Sequence, residues 1–183
     1  MKKCIVVTVL LLGMVSVSGA SALDDESPLS VGLAVGYFMP AENDLDNSLS
    51  YGLRLSYEVS DTAAIDLEAD FASSDVENTT LDADYLFIHL NYILHAQDQG
   101  GEKNLFYYGA GLTMSEVDLP VALVGDNIDS KPDKFGGNII LGYEITDKFC
   151  FEVRYSIIGD ETLGGAIGTL DMGGITGMVR VRF

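Results

Sequence analysis

Only two cysteines are present in this chain, Cys4 and Cys150. Cys4 lies in a leader expected to be removed, and one remaining thiol cannot form an intramolecular disulfide. A fold stapled by disulfides, common among exported domains, is therefore excluded. Basic residues are scarce as well: ten Lys and Arg stand against 28 Asp and Glu, for a formal net charge of −18. A chain with no basic stripe has no means of holding nucleic-acid phosphates, so nucleic acid is excluded as a partner. Histidine is limited to His89 and His95. After Ala22 no apolar run approaches the roughly 20 residues a membrane-spanning helix needs, and helical periodicity is poor.

What the chain does have begins at its first residues. Met1-Lys2-Lys3 is followed by an apolar stretch from Ile5 to Val15, broken only by Thr8 and Gly13, and then by Ala20-Ser21-Ala22. A charged start, a short apolar core and a small-x-small site predict a secretory signal peptide over 1–22. The apolar core is too short to cross a bilayer, and acidic Leu23-Asp24-Asp25-Glu26 follows where a stop-transfer signal would be positive. Cys4 lies far from the small-residue site, so a lipid-anchored N-terminus is not expected. Removal of Lys2 and Lys3 carries the net charge from −18 to −20. Residues 23–183 amount to one domain.

The recurring pattern in that domain has period two, the signature of strands. In 49–59, Leu49, Tyr51, Leu53, Leu55 and Tyr57 alternate with Ser50, Gly52, Arg54, Ser56 and Glu58. In 64–71, Ile65, Leu67, Ala69 and Phe71 alternate with Asp66, Glu68 and Asp70. Similar alternation marks 29–38, 85–95, 105–115, 138–145, 149–157 and 175–183. Each segment is about long enough to cross a bilayer as a tilted strand. The connections at 60–63, 96–104 and 146–148 are short; those at 39–48, 72–84, 115–137 and 158–174 are long and mostly acidic. Eight strands, with short turns on one side and long loops on the other, predict an all-β fold, a membrane-embedded up-and-down antiparallel β-barrel with its long loops outside the cell.

Alternation alone does not say which face is outside, since a soluble lipocalin-type barrel alternates with its apolar face inward. Four features favour apolar-out. The polar faces are rich in Gly, Ser and Ala, which save space in a narrow lumen but are poor choices on a water-facing strand. Their charges are Arg and carboxylate with almost no Lys, a mixture suited to enclosed bidentate pairs. Apolar-face aromatics cluster near strand ends: Tyr37, Tyr51, Phe71 and Tyr155 at one, Tyr57, Tyr92, Tyr143, Phe149 and Phe183 at the other, as interfacial girdles do. The final segment ends on a strand, which needs a partner to avoid an open edge. Arg54, Arg154 and Arg180 are thus expected inside, and Leu53, Val153 and Val179 against lipid.

The leader, YGAGL at 108–112, FEVRYS at 151–156 and GMVRVRF at 177–183 make the sequence resemble the small outer-membrane β-barrel family of the OmpA/OmpX type, over essentially all of 28–183. The resemblance implies location in the bacterial outer membrane and a terminal signal for the barrel-assembly machinery. That signal would be Phe183 with Val181, Val179 and Ile175, interrupted by Gly177. It implies little about activity, because members differ mainly in their loops.

The inward charges are Arg54, Glu58, Asp66, Glu68, Asp70, Glu144, Glu152, Arg154, Arg180 and Arg182. An eight-stranded barrel is only wide enough for its own side chains, so these are expected to form a structural network filling the lumen and not an ion path. Gly32, Gly36, Gly52, Gly109, Gly111 and Gly142 are expected to make room for them. Asp66, Glu68 and Asp70 are spread by about 6–7 Å along a strand, and Arg54 facing them is a simpler partner than a metal ion. A lipid A-cleaving site would need an activated hydroxyl beside a histidine; His89-Leu90-Asn91 has no serine at that spacing, and His89 faces the lumen. Cys150 reads as a small inward filler. No catalytic residue, cofactor site or metal site is assigned. The long loops carry Glu42, Asp75, Asp84, Asp118, Asp133 and Asp160 among other acids. These read as a solvated rim or, more sharply, as a surface that meets lipopolysaccharide through divalent cations or binds a basic partner.

The function expected is a non-enzymatic surface protein, structural or adhesive. A small porin-like diffusion channel and, further off, a lipid A-modifying enzyme are the alternatives. Expected partners are outer-membrane lipids and lipopolysaccharide, with the assembly machinery during biogenesis, and the protein is expected to be a monomer. The protein should fractionate with outer membranes. On gels it should run faster unheated than boiled, because a closed hydrogen-bonded barrel resists cold detergent. Recovery from the soluble periplasmic fraction would refute the reading.

Overall fold

A computed structural model of the protein describes residues 28–42, 45–76, 82–97, 103–119, 133–162 and 169–183; the expected signal peptide lies outside them. The strands are β1 (Leu29–Pro40), β2 (Ser48–Ser60), β3 (Ala63–Asp75), β4 (Asp82–Gln97), β5 (Lys103–Asp118), β6 (Asp133–Glu144), β7 (Phe149–Ile158), β8 (Asp160–Thr162), β9 (Thr169–Asp171) and β10 (Gly174–Arg182). Eight of them close into an antiparallel barrel in the order β1-β10-β7-β6-β5-β4-β3-β2, while β8 and β9 pair as a separate hairpin between β7 and β10. Closure is made by β1 on β10, with Val35 opposite Val179 and Gly36 opposite Met178. Phe183 N–H donates to the Val31 carbonyl at 2.8 Å, so the terminal strand has no open edge.

Several strands run further than the alternation suggests. β3 reaches Asp75, β4 starts at Asp82, β5 reaches Asp118 and β6 starts at Asp133. Parts of 72–84 and 115–137, expected as loops, are therefore paired strand. The cause is that period two continues there with Asp, Ser and Ala in place of apolar residues, so hydropathy no longer marks it. β4 and β5 have 16 residues each, more than the roughly 9–11 a tilted strand spends in the bilayer. The barrel wall therefore stands out of the membrane on the long-loop side.

The faces sort as the composition predicts. Val35, Leu112, Leu141 and Ile139 are more than half exposed on the outside, Val153 and Val179 are also exposed, and Leu53 is half-buried on the same face. Tyr57, Tyr92, Phe149 and Phe183 are exposed towards the short-turn end, and Tyr37, Tyr51 and Tyr155 towards the other. Water would make so large an apolar belt unstable in a monomer; hydrocarbon bounded by two aromatic zones is its natural surrounding.

The inward glycines do make room, but mostly for uncharged neighbours. A Cβ on Gly142 would overlap the Tyr107 ring, one on Gly111 the Asn91 side chain, one on Gly109 Ile93, and one on Gly36 Met178. Only at Gly52 is the obstructed group an acid, Asp70. The reason is register: side chains opposite a glycine fold over it, while the long charged ones reach across the lumen.

Leu112→Arg, near mid-belt, is expected to cost about 2–4 kcal/mol, and Tyr57→Arg, in the aromatic zone, about 0–1 kcal/mol. Denaturant unfolding of the protein in vesicles measures both; equal costs would contradict the placement of the belt.

Candidate functional site: a filled lumen beneath an acidic rim

The middle of the lumen holds one ion cluster. Glu152, fully buried, is shared by three arginines. Arg54 Nη1 donates to its Oε2 at 3.1 Å, Arg154 Nη2 to its Oε1 at 2.9 Å, and Arg180 Nη2 to its Oε1 at 2.8 Å. The Tyr107 hydroxyl adds a fourth bond at 3.1 Å. Arg154 also donates to Glu68 Oε2 at 2.5 Å and Asp70 Oδ2 at 2.6 Å. Arg180 pairs with Glu68, and Arg54 pairs with Asp66, whose other oxygen accepts from Ser56 at 2.5 Å.

Seven of the ten inward charges are thus brought together: Arg54, Asp66, Glu68, Asp70, Glu152, Arg154 and Arg180. Arg54 does not serve all three acids of β3. Register sets Glu68 opposite it, yet Glu68 and Asp70 are taken by arginines of β7 and β10, because inward side chains in so narrow a barrel meet across the lumen. Glu58, Glu144 and Arg182 stand apart at the short-turn mouth. Arg182 lies 3.4 Å from Glu144 and 3.8 Å from Glu58, and Glu58 is about half exposed (51%).

Beside the ion cluster is a patch of imidazole, hydroxyl and amide groups. His89 Nδ1 is 2.8 Å from Thr113 Oγ1, its Nε2 is 3.4 Å from Asp70, and Asn138 donates to Asn91 at 2.9 Å and to Thr113 at 2.8 Å. His89 is inward and buried, as its parity predicts. Cys150 is half-buried, with the Tyr107 hydroxyl 3.3 Å from its sulfur.

Toward the long-loop end the lumen becomes apolar. Phe38 meets Tyr85 and Phe87 edge-on, with centroids 5.1 and 5.2 Å apart. The connections on that side each bring one apolar residue onto this group: Leu45, Val76, Leu119 and Met172, all buried. The sequence pattern missed this plug. Phe38, Tyr85 and Phe87 do have inward parity, but aromatic residues on both faces of a strand hide the alternation.

The outer wall of the same end is acidic. The register sets Asp75 opposite Asp82, Asp84 opposite Asp118 and Glu116 opposite Asp133 in the barrel wall, and Asp160 opposite Asp171 in the separate β8–β9 hairpin. Asp82 and Asp84 alternate with buried Ala83 and Tyr85, so their side chains look outward, above Leu86 and Ile88 of the apolar belt. Like charges directly opposed on a sheet are unfavourable. Among the described residues no cluster of metal-binding side chains is formed.

No family model matches the sequence, and no curated protein matches it. Among solved structures it is similar to the outer membrane protein OprG from Pseudomonas aeruginosa, at 16% identity and a TM-score of 0.57, over 86% of this chain and 96% of that one. It is also similar to Neisserial surface protein A, at 15% identity and a TM-score of 0.50, over 85% of this chain and 96% of that one. The likeness is one of fold: a small eight-stranded outer-membrane barrel. With the apolar belt, it locates the chain in the bacterial outer membrane.

Removing one partner of a buried ionic group strands the others. Arg154→Leu, which leaves Glu68, Asp70 and Glu152 short of a cation, should therefore destabilise by about 3–5 kcal/mol. Adding Glu68→Gln should recover part of the loss. Denaturant midpoints of the two variants decide it, and a neutral Arg154→Leu would show that the cluster does not hold the lumen together.

Proposed function

We propose that the protein is a non-enzymatic surface barrel, structural or adhesive, whose acidic outer rim engages the anionic headgroup layer of lipopolysaccharide through divalent cations. The observation that carries this is the run of carboxylates paired across strands on the outward face, at the level where the apolar belt ends. Acids at that level face lipid phosphates sideways. Two negative surfaces in contact need a cation between them, and hard oxygen ligands suit Ca²⁺ or Mg²⁺. The ion cluster and the apolar plug, stacked in one lumen, favour this over a diffusion channel. Buried His89, held by Thr113 and Asp70, favours it over a lipid-modifying enzyme, since no substrate on the outer face reaches it.

The test is reconstitution into vesicles with and without lipopolysaccharide. With lipopolysaccharide, Mg²⁺ should raise the thermal midpoint, chelation should reverse the gain, and Asp84→Asn with Asp118→Asn should abolish most of it. The same preparation should give little or no stable conductance in a planar bilayer. Reproducible single-channel steps would install the channel reading instead, and a Mg²⁺ effect equal in both vesicle types would sever the link to lipopolysaccharide.

A further inference from the structure

Four side chains cross the short-turn mouth of the lumen as a string. His95 Nε2 is 3.8 Å from Glu144 Oε1, Arg182 Nη2 is 3.4 Å from the same oxygen, and Arg182 Nη1 is 3.8 Å from Glu58 Oε1. They stand on β4, β6, β10 and β2, every second strand of the closed order, so His95 and Arg182 come from opposite walls. Both ends of the span over Glu144 are fixed. The His95 N–H donates to the Thr62 carbonyl at 2.8 Å, and its ring lies against Tyr107 with centroids 5.4 Å apart. Arg182 Nε and Nη2 donate to the Asp147 carbonyl at 3.1 and 2.9 Å. Beneath the string opens a pocket with a cavity volume of about 60 Å³, floored by Arg54, Asp66 and Arg180 of the ion cluster and lined on one side by Cys150.

We propose that His95 is a pH-sensitive latch of this mouth: with a proton taken from water it completes the string by pairing with Glu144, and on losing that proton it frees this end of the string and opens the pocket.

Imidazole is the side chain whose charge ordinarily changes between pH 5 and 8. With His95 charged, the string alternates in sign from wall to wall: His95, Glu144, Arg182, Glu58. With His95 neutral, Glu144 keeps only the partner on its Arg182 side in that string. The other groups that line the mouth set the sign of the effect. Glu58 and Asp61 come from β2 and its turn, Glu144 and Asp147 from β6 and its turn, against Lys148 of that turn and Arg182 of β10. That is an excess of two negative charges, and a proton on His95 reduces it to one. Tyr107 of β5 and Cys150 of β7, joined at 3.3 Å, complete the lining beside the imidazole. The charged groups of the floor are engaged in the ion cluster. Ion pairs of this length at a wet mouth are weak and exchange readily, so a change of one charge is felt by the whole string.

Cys150 reports on the mouth, since the other cysteine, Cys4, lies in the expected leader. Protein extracted from outer membranes into detergent is reacted with methyl methanethiosulfonate, a small neutral reagent, and the labelled cysteine is identified by peptide mass. Each rate is divided by that of His95→Gln at the same pH, which cancels the ionisation of the thiol. The unaltered protein should react about threefold more slowly than His95→Gln at about pH 5.5 and equally at about pH 8, an effect of the size a partly exposed ion pair supplies within the window where imidazole loses its charge. Glu144→Gln, which removes the other half of the pair, should behave as His95→Gln does at both pH values. Faster migration of unheated samples on gels checks that each variant is a closed barrel. The proposal is overturned by a rate ratio that does not change with pH, by a ratio that changes in the opposite direction, or by a pH step that survives in Glu144→Gln. Cys150 left unlabelled under every condition would overturn it too, because the mouth would then be shut whatever the state of His95.

Discussion

One carboxylate, that of Glu152, accepts from Arg54, Arg154, Arg180 and Tyr107. Those donors stand on β2, β7, β10 and β5, strands distributed around the whole barrel. A charge so deeply buried is tolerable only when its partners are fixed, and here the partners are fixed by the wall itself. The cross-lumen bonds and the strand pairing therefore support each other. The closed ladder holds the donors in place, and the shared anion draws opposite walls together at mid-height.

Around that point the chain inverts the usual arrangement of a globular protein. Ionic and amide groups occupy the interior and aliphatic groups the exterior, because the solvent outside is hydrocarbon. The inversion is incomplete. Apolar residues return to the interior at the long-loop end, beyond the level where lipid surrounds the wall. There the barrel stands in water and obeys the ordinary rule: Ala83 and Tyr85 go in, Asp82 and Asp84 go out. The change along β4 from Leu86 and Ile88 to Asp84 on one face marks the outer limit of the membrane.

Much of this was legible in the sequence, and the limits have physical causes. Strict alternation in 49–59 and 64–71 gave both the strands and the side of each residue, since a pleated chain leaves no freedom about facing. Who pairs with whom inside was not legible. Register identifies the neighbour on the next strand, such as Arg54 and Glu68, whereas long side chains in a narrow lumen meet residues on the opposite wall. Tyr107 and His89 could be placed inward by parity, but not on Glu152 and Asp70. The plug escaped because Phe38 follows Tyr37 and Phe87 lies between Leu86 and Ile88, so hydropathy is uniform where direction is not. The hairpin of β8 and β9 escaped because three-residue strands carry too little pattern to register.

Leu45, Val76, Leu119 and Met172 come from connections distributed along the whole sequence, and each supplies one anchor to a single seal. No subset of strands can assemble it. The seal is therefore complete only when all four connections are in place, and it closes the lumen above the ion cluster. It keeps water of the outer side from the buried arginines and carboxylates, whose pairing depends on a dry surrounding.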